Sequence, residues 1–243
     1  MGFRRDLNLY ASLFGEVIPF IWDSWEDSWG DWIKYFESAR LKLVFVTSKS
    51  SADHFGATVP GTKFEYVPDA TLIRDYKSDL RLFERSIDIL ELGRKYDSWH
   101  DLVTPFIRMN ELTHLYEPVQ GEIIFKNFHD MANALSNTKI FVCFPLSVTN
   151  PKKSGRVETV TQRYFEGMAS GCILLGTAPQ ELIELFGYNP VIEIDWNSPS
   201  TQLFDILNSV SQYQDKVDQN FQKVLTTGDW SHRVNQIVSI MSK

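Results

Sequence analysis

Basic residues are in short supply in this chain: 24 lysines and arginines stand against 31 aspartates and glutamates, a net charge of -7 over 243 residues. General nucleic-acid and anionic-membrane surfaces need concentrated cations, so neither class fits, although a local anion site remains compatible with the total. Cysteine is scarcer still. Cys143 and Cys172 both sit in apolar runs, residues 140–144 and 172–175, where a thiol behaves as a small buried hydrophobe. That pattern excludes a disulfide framework and leads us to expect a reducing, cytoplasmic setting. No apolar run approaches the roughly 18 to 20 residues that span a bilayer, and the charged start Met1-Gly2-Phe3-Arg4-Arg5-Asp6 leads into no signal-like apolar core. The histidines, His54, His100, His114, His129 and His232, lack paired ligand spacing, so metal chemistry has little support and they read as surface or structural residues. No strand pattern is followed by a Gly-x-Gly-x-x-Gly turn, which argues against a classical dinucleotide-dependent oxidoreductase.

What is present is ample core material, 43% hydrophobic and 14% aromatic residues, arranged in an alternating pattern. Residues 17–22 form a β-rich run. Trp25, Trp29, Trp32 and Phe36 follow at steps of four, three and four, on one helical face. Such a face is normally core, but with few strands beside it, exposure and self-association are the other expectation. A buried strand over 41–47 and a capped helix over 48–55 come next. Pro60-Gly61 punctuates the chain, and we place a domain boundary there, giving portions 1–60 and 61–243. Beyond it the expected strands are 86–92, 121–125, 139–144, 173–176 and 191–194. They alternate with helices over about 99–111, 128–136, 180–186, 200–211 and 229–241. This order predicts an α/β fold, a Rossmann-like parallel sheet with helices on both faces, with ligands beyond the strand C-termini. Gly93-Arg94 follows one such strand, a polar loop over 147–156 another, and Gly176-Thr177-Ala178-Pro179 a third.

The loop over 147–156 leads into the segment from Val157 to Cys172, which contains Glu158, Arg163 and Glu166 and ends at Gly171. Val160, Tyr164 and Met168 recur at helical spacing, which any α/β protein uses to bury a helix against a sheet. A carboxylate fixed beside such a helix can also accept paired hydrogen bonds from vicinal sugar hydroxyls.

Together these residues resemble GT-B glycosyltransferases, especially the group 1 retaining enzymes and the spore-protein-like glycosyltransferases. The resemblance covers about residues 86–241. It is carried by Leu92-Gly93-Arg94, by the spacing of Glu158 and Glu166, by Phe165-Glu166-Gly167-Met168-Ala169-Ser170-Gly171, and by the closing Asp229-Trp230-Ser231-His232-Arg233-Val234. It implies a C-terminal nucleotide-sugar-binding domain after a partial N-terminal, acceptor-side α/β portion. By the same resemblance Glu166 clasps the donor ribose, Glu158 faces the donor hexose as the catalytic carboxylate, and Gly93, Arg94 and Arg163 attend the diphosphate. The implied reaction moves a hexosyl group from a nucleoside diphosphate sugar to a saccharide or protein acceptor, as in polysaccharide biosynthesis, with retention. No cofactor or metal is implied, in keeping with the lack of an Asp-x-Asp triplet. An inactive nucleotide-sugar-binding protein, or a structural protein of an envelope or spore layer with the same fold, is the alternative.

Overall fold

The computed structural model describes residues 17–39, 41–76, 79–93, 95–119 and 121–242. They form two compact units. The first runs to Asp69 and takes in Leu146–Val160 and the chain from Gln236; the second comprises Ala70–Pro145 and Thr161–Asn235. A linear boundary at residue 60 therefore differs from the observed division, in which the two units interleave along the chain.

In the first unit, β1 (Phe20–Ile21), β2 (Leu43–Val46) and β3 (Lys63–Tyr66) lie parallel in the order β1-β2-β3. Helix α1 (Trp29–Ala39) follows β1 after a short 3-10 turn, and α2 (Lys49–Thr58) follows β2. Ser48 caps α2 by accepting a hydrogen bond from the Ser51 backbone N–H, which satisfies one of the orphan donors of the first turn. The tryptophan face is core. Trp25, Trp29, Phe36 and Phe55 are buried together, and the Trp29 indole N–H donates to the Ser24 carbonyl at 3.0 Å. The exposed aromatic face on which self-association was expected is thus packed inside. The polar segment 147–156 is largely helical, with α5 (Leu146–Thr149) and α6 (Pro151–Ser154), and Leu146 and Val157 join the same core.

The second unit is built on β4 (Ile87–Glu91), β5 (His114–Tyr116), β6 (Thr138–Cys143), β7 (Ile173–Gly176) and β8 (Ile192–Glu193), all parallel, in the order β5-β4-β6-β7-β8. Its helices are α3 (Asp97–Met109), α4 (Phe128–Ser136), α7 (Gln162–Ala169), α8 (Gln180–Phe186), α9 (Pro199–Asn208), α10 (Gln214–Thr227) and the first half of α11 (Trp230–Met241). The period of two along the strands divides the core between the two faces of the sheet. Ile140 and Val142 of β6, with Ile173 and Leu175 of β7, pack with Trp99, Val103, Leu203 and Ile206 of α3 and α9. Phe141 and Leu174 point the other way, toward α7.

The strand expected over 121–125 is absent, and the edge position belongs to β5, paired with β4 from Ile89↔His114 to Glu91↔Tyr116. A three-residue edge strand is too short to show alternation, so the sequence gives it no period to read. Among the described residues no helix is long and apolar enough to cross a membrane.

Candidate functional site

The chain leaves β4 for β5 on one side and returns to β6 on the other, so the strand order reverses between β4 and β6. A crevice opens at such a switch point, beyond the strand C-termini, and that is where ligands bind in open α/β sheets. Gly93 lies two residues past β4 with φ +74°. That conformation suits glycine, and a Cβ there would also collide with the Arg163 guanidinium. Gly93 and Arg163 are thus brought together at the switch, a glycine backbone with a cation laid upon it. Arg94 falls outside the described residues.

Arg163 and Glu166 both belong to α7, which begins after Thr161 and stops at Ser170-Gly171, Gly171 taking the left-handed conformation that ends helices. Helix α7 packs closely on the sheet at Gly167, where an added Cβ would come within 2.5 Å of Phe141 Cδ1 and 2.6 Å of Leu174 Cδ2. Close approach buries this stretch of helix and carries Glu166 inward to 8% exposure. The Tyr76 hydroxyl donates to Glu166 Oε1 at 2.9 Å. Burial, and then the Glu166 carboxylate, push the Tyr76 phenol well above its ordinary range, so it stays protonated and a donor. On the helix beside Glu166, Tyr164 donates to the Thr177 carbonyl at 2.7 Å, tying α7 to the loop after β7.

Tyr76 was not legible in the sequence. It is held by the closing Asp229-to-Val234 motif, whose role here is structural. Thr71 N–H donates to the Gly228 carbonyl at 2.9 Å, and Ile73 N–H to Asp229 Oδ2 at 3.1 Å. Asp229 Oδ1 meanwhile accepts from the Ser231 N–H at 2.8 Å and caps α11. Buried Arg233 donates to the Thr227 carbonyl at 2.6 Å. The motif therefore positions a residue 90 positions from the glutamate it serves.

Glu158 is not on the helix. It lies in the extended stretch before α7 and belongs to the first unit, whereas Arg163, Glu166 and Gly93 belong to the second. Its neighbours are anchored there: Val157 is in the first core, and the Thr159 hydroxyl donates to the Thr47 carbonyl at 3.1 Å. Arg156, a loop cation, pairs with Glu26 at 3.1 Å. Hydrogen bonds from the Arg156 backbone and side chain hold the Glu26 carboxyl below its usual range.

Three aromatics line the strand ends of the second unit. Tyr96, after β4, meets Phe144, after β6, edge to face at 4.9 Å between ring centroids, and Trp196, after β8, at 6.0 Å. Sequence reasoning also missed a buried cluster at the end of β4. His100 Nδ1 and His114 Nε2 both lie against Glu91 Oε1, at 2.6 and 2.9 Å. Burial alone would raise the Glu91 carboxyl, but the bonds to the two imidazoles outweigh it and hold it below the usual carboxylate range. The expectation that the histidines are scattered is corrected for these two. Their separations in sequence follow no helical or strand period, and only the pairing of β5 with β4 brings them together.

Comparison with known proteins agrees with this geometry. The family model described as glycosyl transferase-like matches residues 110–239, more than half of the chain. No curated protein matches by sequence. Among solved structures, the chain is similar to sucrose-phosphate synthase from Thermosynechococcus elongatus, with TM-score 0.57 and 13% identity over 88% of this chain and 61% of that one. HepE from Anabaena, solved with UDP and glucose, gives TM-score 0.68 and 9% identity over 98% of this chain and 75% of that one. An α,α-trehalose-phosphate synthase from Burkholderia vietnamiensis gives TM-score 0.61 and 9% identity, over 98% and 68%. The chain thus spans about three fifths of the length of the sucrose-phosphate synthase it matches. With the family model across the β5-to-α11 region and the fold shared with these enzymes, the chain belongs to the glycosyl transferase-like family and has the GT-B fold.

Proposed function

We propose that this protein transfers a hexosyl group from a nucleoside diphosphate sugar to a saccharide or protein acceptor, as in polysaccharide biosynthesis. The observation that carries the reading is the buried Glu166 carboxylate, oriented by Tyr76 on the same helix that lays Arg163 over Gly93 at the switch point. A carboxylate held in this way accepts the paired ribose hydroxyls through charge-assisted bonds. The leaving diphosphate gathers negative charge in the transition state, and a guanidinium already in place lowers that barrier without reorganisation. Arg163 supplies that charge, with Arg94 next to Gly93 in sequence, so the transfer needs no metal bridging the phosphates. Tyr96, Phe144 and Trp196 offer flat faces for the base. Glu158 is assigned to the donor hexose, and the transfer proceeds with retention in the cytoplasm. The structure of HepE with UDP-glucose makes that the first donor to try.

Calorimetry with UDP, GDP and their glucose and mannose conjugates tests the reading. Binding by at least one is expected, and Glu166→Ala should weaken it by about 1.5 to 3 kcal/mol, the range for hydrogen bonds to a charged group. Binding by none of them overturns the proposal. Nuclear magnetic resonance of the glycosidic product separates retention from inversion. Binding without turnover on any acceptor would favour the inactive nucleotide-sugar-binding protein instead.

A further inference from the structure

We propose that Glu91, His100 and His114 form a binding site for one divalent ion of the zinc class, seated at the C-terminal end of β4. This does not rest on the glycosyl-transfer reading. The three residues come from three elements, β4, α3 and β5, and their side chains are only 4%, 6% and 6% exposed. One donor atom from each lies within 4.8 Å of the others. Both imidazoles aim a ring nitrogen at the same oxygen, Glu91 Oε1, at 2.6 and 2.9 Å. The Tyr116 ring sits 4.5 Å from the His100 ring and 4.7 Å from the His114 ring and holds their planes.

Two imidazole nitrogens and a carboxylate oxygen are a borderline-soft donor set that suits zinc, whose bonds of about 2.0 to 2.2 Å place neighbouring donors roughly 3.3 Å apart at tetrahedral angles. The two nitrogen–oxygen separations are shorter, at 2.6 and 2.9 Å, so small side-chain rotations that move these atoms by less than about an ångström open the seat for the ion. The two ring nitrogens that now face Oε1 turn to the ion on binding, and the carboxylate offsets one of its two charges. Glu91 Oε2, which has no hydrogen bond among the described residues, completes the coordination. A closed site of this kind is structural: it pins β4 to α3 and β5 two residues before Gly93, and so fixes the loop that bears on Arg163.

The full chain is expressed in zinc-supplemented and, separately, cobalt-supplemented medium, dialysed, and measured by elemental analysis and visible absorption. We expect about one zinc per chain, and in the cobalt form the intense d–d bands of a tetrahedral centre. His114→Gln, at the sheet edge, should lower the zinc content at least tenfold and remove those bands. Wild-type protein with less than about a tenth of an equivalent of either metal overturns the proposal, leaving a hydrogen-bonded cluster only. So does a cobalt spectrum that survives in His114→Gln. If that variant does not fold, the wild-type metal content and cobalt spectrum decide alone.

Discussion

Replacing Tyr76 by Phe removes one hydroxyl and leaves the ring, so it isolates the bond from Tyr76 to Glu166. The carboxylate then loses that one donor. A nucleoside diphosphate should bind roughly 5- to 10-fold more weakly by calorimetry, about 1 kcal/mol, less than the loss from Glu166→Ala. An unchanged affinity would separate Tyr76 from the site. Asp229 offers a test of stability at the same scale. Burial raises its carboxyl, but bonds from Ser231 and Ile73 outweigh that, so the folded group sits below its ordinary value. Its contribution is therefore present above the unfolded value of about 3.9 and fades as pH falls through the lower folded value. Asp229→Asn should shift the urea midpoint downward at pH 7, and the gap to wild type should close below about pH 4. Residues of these two kinds divide what the sequence showed. Gly93, Arg163 and Glu166 were legible because a motif carries them, whereas Tyr76, Glu91, His100 and His114 meet partners 90, 9 and 23 positions away through folds of the chain that no local period records.

Helix α7 works because it lies close to the sheet, and a comparison of two helical glycines, Gly167 and Gly30, shows what that closeness demands. At Gly167 an added methyl would press the rigid Phe141 ring at 2.5 Å as well as the end of Leu174. Gly167→Ala should destabilise by about 1 to 3 kcal/mol, overpacking outweighing alanine's better helix propensity of about 1 kcal/mol. At Gly30, in α1, a Cβ meets nothing within 4 Å. Gly30→Ala should therefore stabilise by about 0.5 to 1 kcal/mol, and opposite shifts in urea midpoint check the pair. Most elements were readable in advance for the reason these glycines differ: burial imposes a period. Strands β6 and β7 and helices α4 and α8 appear where apolar runs and caps place them. Strand β5 was missed because three edge residues, His114-Leu115-Tyr116, satisfy the sheet with backbone bonds and leave no pattern of their own.

At the scale of the molecule, the order of the chain and the order of the units differ. Residues 146–160 return to the first unit through Leu146 and Val157, two apolar side chains at the ends of a polar segment that reads as a loop, so a reading that moves once along the sequence does not detect the return. The same division decides how ligand binding is felt as stability. Gly93, Arg163 and Glu166 all belong to the second unit, so its unfolding transition is the one a nucleotide raises. A ligand that binds only the folded state at 100 times its dissociation constant stabilises by about 2.7 kcal/mol, which for a unit of this size is roughly 5 to 11 °C in melting temperature. In Glu166→Ala, an affinity about 30-fold lower leaves the same concentration at only about 3 times the dissociation constant, and the stabilisation drops to about 0.8 kcal/mol. Differential scanning calorimetry with and without the nucleotide that binds should therefore show a shift that shrinks to about a third in the variant, while the unliganded variant folds. An equal shift in both proteins would mean that the nucleotide is held by groups other than the buried carboxylate of α7.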